Sequence, residues 1–193
     1  MTTTWFDDDP LFNRYYPQNP SYRQYFDNEW GIPSHNDQQL FELLALSGFA
    51  AGLNWEMILN KRIAFSRAFA NWDINTVANF DIGNITQILT DASIIRNQRK
   101  IMAAIHNAKI IQQLQATQSF DAYLWHHLQY QQVVLNVHHF HDLPRTVAAS
   151  DQLSQQMRHD GFKFAGPITI HAWLVATGFI TARPDHRGIE LSH

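Results

Sequence analysis

The stretch DIGNITQILTDASIIRNQRKIMAAIHNAKIIQQLQAT, residues 81–117, decides the fold. Asp81 or Asn84 opens the run ITQILTDAS, and a strongly helical run, IMAAIHNAKIIQQLQAT, follows Lys100. Between them RNQRK, residues 96–100, is short and basic. Two helices joined by a tight basic turn therefore stand at the centre of the chain. On the N-terminal side, Leu40, Leu43, Leu44 and Ala45 recur at helical spacing, the pattern is cut at Gly48 and Gly52, and it resumes with Trp55, Ile58, Leu59 and Ile63. This predicts two helices around a glycine corner. Asp73 caps INTVANF, Ser119 caps FDAYLWHHL, residues 129–146 read as irregular, Ser150 caps DQLSQQMRHDG and Pro167 opens ITIHAWLVATG. Up to Pro33 the chain reads as loop, punctuated by Pro10, Pro20 and Pro33. The expectation is an all-α fold of about eight helices in one domain over residues 1–193. It has a loop-rich segment at 1–33, the paired helices at 84–116 and a short tail after Pro184.

Composition sets the outer bounds. The chain has 193 residues, 45% of them hydrophobic and 16% charged, which suits one compact domain or two small lobes and excludes disorder. Aromatic residues make up 13%, a large apolar payload to bury or to stack on something flat. There is no cysteine, so disulfides, thiolate nucleophiles and cysteine-ligated zinc are excluded, and a reducing cytoplasm is the expected compartment. No apolar run is long enough for a membrane span, and the start, MTTTWFDDDP, is acidic rather than signal-like. A formal net charge of −3 argues against a generally basic nucleic-acid binder. The middle is nevertheless locally basic, with Lys61, Arg62, Arg67, Arg96, Arg99, Lys100 and Lys109 set against Asp73, Asp81 and Asp91. A solvated helix surface is the plain reading of that patch.

Four blocks in order, YFDNEWGIP (25–33), LFELLALSGFAAGLNW (40–55), DASIIRNQRKI (91–101) and GFKFAGPITIHAW (161–173) followed by TGFI, resemble the signatures of the DNA-3-methyladenine glycosylase I family. The resemblance spans Trp5 to about His186. It implies a helix-hairpin-helix glycosylase that hydrolyses the N-glycosidic bond of alkylated adenine in double-stranded DNA. The implied products are the free methylated base and an abasic site, with no lyase step and no cofactor. Such an enzyme extrudes the nucleotide, holds the base in a pocket and fills the gap left in the stack. By resemblance Trp5, Tyr25 and Trp55 fall where the family places pocket aromatics, with Ser47 beside them, and Gly52-Leu53 matches the loop that wedges into the duplex. Taken alone, these aromatics read as core and the Gly-Leu corner as a helix break. Arg96, Arg99 and Lys100, with the backbone N–H groups at the start of the second helix, would hold a DNA phosphate. The hairpin glycines of the family read Ser93 and Arg99 here.

Several positions depart from the family. A glutamate that accepts hydrogen bonds from the methylated adenine is Ser47, and a nearby glutamine is Ala50. A carboxylate gives a cationic base a charge-assisted bond that a hydroxyl gives only weakly. The family's structural zinc site reads Thr3, Phe26 and Glu190, with His186 alone retained, so no metal is expected. About ten residues are inserted between Leu11 and Tyr22, either shaping the pocket or forming a surface loop. A tyrosine and a glutamine of the late helix read His171 and Val175, and His171 reads as a satisfied core histidine. The WHH and HHFHD clusters at 125–127 and 138–142 lack ligand spacing. Asp27 and Glu29 are nearby carboxylates that read as turn-capping groups, which leaves no catalytic base assigned. A monofunctional DNA glycosylase, expected as a monomer, is the leading expectation. The rival is a non-catalytic or retargeted binder of damaged DNA that has lost the lesion-reading carboxylate.

Overall fold

The computed structural model describes residues 10–137 and 140–182. Among them the chain forms eleven α-helices and two very short strands, more elements than the eight helices expected. Two of the additional helices lie in the segment read as loop: α1 (Pro10–Tyr15) and α2 (Pro20–Asn28). Pro10 and Pro20, taken as breaks, stand at helix starts, where a fixed φ and a missing N–H cost nothing, whereas Pro33 lies in the connection before the next helix. Asn19 confirms the start of α2, its side chain accepting from the Tyr22 N–H at 3.1 Å.

Helix α3 (Asp37–Ala50) starts on the Asn36 cap and is almost wholly buried. Gly48 does not cut it. A Cβ there would touch the Phe164 side chain at 3.4 Å, so the glycine serves close packing inside the helix. The corner falls at Gly52, whose φ of +76° lies in the left-handed region that favours glycine. Asn54 then caps α4 (Trp55–Asn60), and α5 (Arg62–Ala68) follows directly. Asp73 caps α6 (Ile74–Ala78) as the sequence predicts.

Asp81 and Asn84 share the start of α7 (Ile82–Thr90) in a reciprocal capping box. Helix α8 (Gln98–Leu114) begins on the Asn97 cap. Arg99 and Lys100, read as part of the turn, therefore belong to the first turn of α8. No residue between 91 and 100 has a positive φ, so Ser93 and Arg99 adopt this connection without the strain that would call for glycine.

Ser119 caps α9 (Phe120–His127). In the segment read as irregular lie β1 (Val133–Val134) and a 3₁₀ turn at Phe140–Asp142. Helix α10 (Ala148–His159) starts after Val147 rather than Ser150. The Ser150 hydroxyl instead lies buried in the first turn, accepting from the Val147 N–H at 2.9 Å. Pro167 opens α11 (Pro167–Ala176) as expected. Strand β2 (Ile180–Thr181) pairs in parallel with β1.

Helices α3 and α11 meet in the core, where the Trp173 indole N–H donates to the Leu40 carbonyl at 3.0 Å. Phe120 stacks on Trp173 at 5.7 Å, tying α9 to the same place. Gly178 has φ +76°, and a Cβ there would fall 2.3 Å from the Ile32 carbonyl carbon, so only glycine fits. That close approach lets Gly31 N–H donate to Val175 O at 3.0 Å and Ser34 N–H to Thr177 O at 3.1 Å. The end of α2 is thereby fastened to the end of α11, with α3 behind both.

Candidate functional site

Where α2, α3, α4 and α11 converge there is a cavity of about 510 Å³. Its walls include Tyr22 and Tyr25 of α2, Trp30, Ser47 of α3, Trp55 of α4 and His171 of α11. The sequence-predicted Tyr25, Ser47, Trp55 and Leu53 all line it. Trp5 lies outside the described residues, as do Thr3, His186 and Glu190. The tyrosine and indole rings of Tyr25 and Trp55 sit 5.5 Å apart at 57°. Tyr22, three residues before Tyr25, faces the cavity as helical spacing requires. Arg14 and Tyr15 also line the cavity, so part of the inserted segment contributes to its wall, while Pro17 and Gln18 are exposed. Phe140 and Arg145 come from the irregular segment, which carries no sequence pattern to announce them.

No carboxylate belongs to the described lining; its charged side chains are Arg14 and Arg145. Acids at the end of α2 and on α3 are occupied elsewhere. Arg62 donates to Glu29 Oε1 at 2.7 Å and to both oxygens of Glu42, at 2.8 and 3.0 Å. Burial works against the Arg62 charge, and the hydrogen bonds to Glu42 and Glu29 more than offset it, so its pKa is raised. Glu29 Oε2 remains buried and unpaired among the described residues. Asp27 accepts a hydrogen bond from the Tyr16 hydroxyl. The Tyr25 hydroxyl is held protonated, its pKa pushed well up first by burial and then by the Glu29 charge.

His171 departs from its sequence reading. It is buried, at 4% exposure, but it is not satisfied: neither ring nitrogen has a hydrogen-bond partner among the described residues. The Pro144 carbonyl lies near enough to favour the imidazolium without meeting hydrogen-bond geometry. Burial dominates and lowers the pKa, so the ring is neutral at pH 7.

At the cavity mouth, Leu53 is 41% exposed on the turn that follows Gly52. The turn is braced from two sides. Asn54 Nδ2 donates to the Tyr15 hydroxyl at 2.9 Å. Lys100 Nζ donates to the carbonyls of Phe49 and Ala51, both at 2.8 Å. The start of α8 thus holds the turn that carries Leu53. Arg96 and Arg99 are exposed beside it, and Lys61 Nζ donates to the Ser93 carbonyl at 2.9 Å, closing the α7–α8 connection. An aromatic pocket, an exposed apolar side chain at its mouth and a basic helix start thus share one side of the molecule.

The methyladenine glycosylase family model matches residues 15–187. The chain belongs to this family. It is 34% identical over 170 residues to DNA-3-methyladenine glycosylase 1 of Escherichia coli K12, covering 88% of this chain and 89% of that protein. A Haemophilus influenzae DNA-3-methyladenine glycosylase is 29% identical over 160 residues, 82% of this chain and 86% of that protein. Among solved structures, 3-methyladenine DNA glycosylase I of Staphylococcus aureus superposes with a TM-score of 0.81 at 31% identity, covering 91% of this chain and 94% of the other. A variant of 3-methyladenine DNA glycosylase I in complex with 3-methyladenine gives a TM-score of 0.82 at 30% identity, covering 91% and 95%. The all-α expectation and the family resemblance both hold.

Within the family fold, Phe26 occupies the position that the sequence resemblance gives to a zinc ligand. It packs against Tyr22 at 4.6 Å, Tyr25 at 5.1 Å, Trp30 at 5.3 Å and Phe140 at 5.9 Å. Aromatic packing thus fills that place. No group of three potential metal ligands occurs among the described residues, and none of their helices is long and apolar enough to cross a membrane.

Proposed function

We propose that the protein is a monofunctional DNA N-glycosylase of base-excision repair that extrudes an alkylated adenine from duplex DNA into the aromatic cavity. The observation that carries this reading is the convergence of Tyr25 and Trp55 in a cavity with exposed Leu53 at its mouth. Aromatic faces receive an extruded base, and an apolar side chain on a braced turn fills the vacated stack. Arg96, Arg99 and the first N–H groups of α8 hold the phosphate backbone, which positions the duplex without reading its sequence. The bond between the sugar C1′ and the base nitrogen breaks with its electron pair on the base. Water oxygen bonds to C1′; a base that is cationic in the nucleotide leaves neutral and the water proton is released to solvent, whereas a base that is uncharged in the nucleotide would leave as an anion and takes the proton up. No carboxylate of the described lining is available as a base, so positioning and stacking supply the acceleration. The deciding experiment incubates the protein with alkylated duplex DNA and measures released bases and abasic sites together.

A second reading has its own observation. Ser47, rather than a carboxylate, lines the cavity, which favours a retargeted or binding-only relative. Tight binding to damaged duplex without base release selects it.

A further inference from the structure

Buried polar groups in folded proteins are almost always paired, and an unpaired one costs folding free energy. Of the buried unpaired polar atoms among the described residues, only the two ring nitrogens of His171 line the cavity. They are the natural place for a ligand to complete a hydrogen bond. A neutral imidazole offers one donor and one acceptor, which matches the edge of an uncharged nucleobase.

The charges around it point the same way. Among the described residues the lining contributes the cations Arg14 and Arg145 and no anion. Glu29 and Glu42 are committed to Arg62, and Asp151, on α10, acts on His171 through its charge without lining the cavity. Ser47 is 7% exposed and supplies only a hydroxyl. Among the described lining, a base with a fixed positive charge would meet no counter-ion, and the two arginines, though exposed to water, add repulsion rather than attraction.

We propose that His171 reads the extruded base by hydrogen bonding and that this pocket takes alkylated purines without a fixed positive charge. The inference builds on the reading of the cavity as the seat of an extruded base.

The test measures binding of the full chain to three duplexes differing at one position. That position carries a tetrahydrofuran abasic site, 1,N6-ethenoadenine, which is uncharged, or 1-methyladenine, which is cationic at neutral pH. Wild type is expected to hold the ethenoadenine duplex about tenfold more tightly than the 1-methyladenine duplex. His171→Leu should weaken ethenoadenine binding roughly five- to tenfold, the size of one hydrogen bond, and leave abasic binding unchanged. His171→Gln, which keeps a donor and an acceptor, should retain most of the preference. Equal or tighter binding of the cationic base, a preference surviving in His171→Leu, or equal losses in the Leu and Gln variants would overturn the assignment. His171→Met replaces the Leu variant if the latter does not fold, with the same outcomes deciding. A fourth duplex with unmodified adenine at that position serves as the reference, and failure of wild type to prefer the abasic duplex over it would instead sink the base-extrusion reading, and the role of His171 with it.

Discussion

The Lys100 ammonium donates to the Ala51 carbonyl at 2.8 Å, joining the first turn of α8 to the turn that presents Leu53. Its second bond, to Phe49 O, caps the open C-terminal end of α3, where carbonyls lack helical partners. The start of α8 and the turn that presents Leu53 are therefore one mechanical unit. Two of the three donors of Lys100 face the protein, so its main effect is expected on loop position, with phosphate contact left chiefly to Arg96 and Arg99. Lys100→Met should lower stability by about 1 kcal/mol, modest because the ammonium stays partly in water. It should also reduce discrimination between abasic and intact duplex. Arg96→Ala should leave the melting temperature in place and lower the salt slope of DNA binding by about one phosphate contact. An unchanged slope would remove Arg96 from the interface.

Leu53 contributes little to the core, given its exposure. Leu53→Ala is expected to change stability by only about 1 kcal/mol, because a substantial part of the removed side chain already lies in water. The preference for abasic duplex should fall. Intact preference in the variant would show that this side chain does not enter the stack.

Phe26 fills space among four aromatic rings. Phe26→Ala should cost about 3 to 5 kcal/mol, the usual range for deleting a fully buried phenyl ring. A chelator should leave the wild-type melting temperature unchanged, and elemental analysis of untagged protein should find no stoichiometric zinc. A large drop on chelation would overturn the packing account.

Ser47→Glu restores an acceptor beside the pocket aromatics. It should strengthen binding of a cationic alkylated base by about 1.5 to 3 kcal/mol, the range for a hydrogen bond to a charged group. Without ligand the same variant should melt lower, because the new carboxylate is buried with Arg62 already committed to Glu29 and Glu42. Calorimetric titration and melting curves read the two effects separately.

His171 links stability to pH. Its folded pKa lies below the ordinary value of 6.5, so between the two values the unfolded chain binds more protons. The corresponding stability is fully present above about pH 6.5 and is lost as pH falls through the folded pKa. His171→Leu should remove that dependence and gain about 1 to 3 kcal/mol at neutral pH by deleting two unpaired buried nitrogens. The Leu variant's advantage should widen as the pH is lowered. A less stable Leu variant would mean that His171 is satisfied within the folded protein.

The sequence by itself determined the elements whose causes are local. Asp73, Asp81 and Ser119 announce their helices because a cap bonds to backbone two or three residues away, and Gly52 announces a corner through its own dihedral. The ordered blocks likewise brought Tyr25, Ser47, Leu53 and Trp55 to attention before any geometry was known. Tertiary structure decided what depends on distant partners. Pro10 and Pro20 carry the same local signal in a loop and at a helix start, and Gly48 serves packing against Phe164, more than a hundred residues later. That Lys100 faces Phe49 and Ala51, that Arg14 and Tyr15 wall the pocket, and that His171 lacks a partner are facts about through-space neighbours. Their energies depend on solvent exclusion and on partner geometry, which arise only when helices far apart in sequence are packed together.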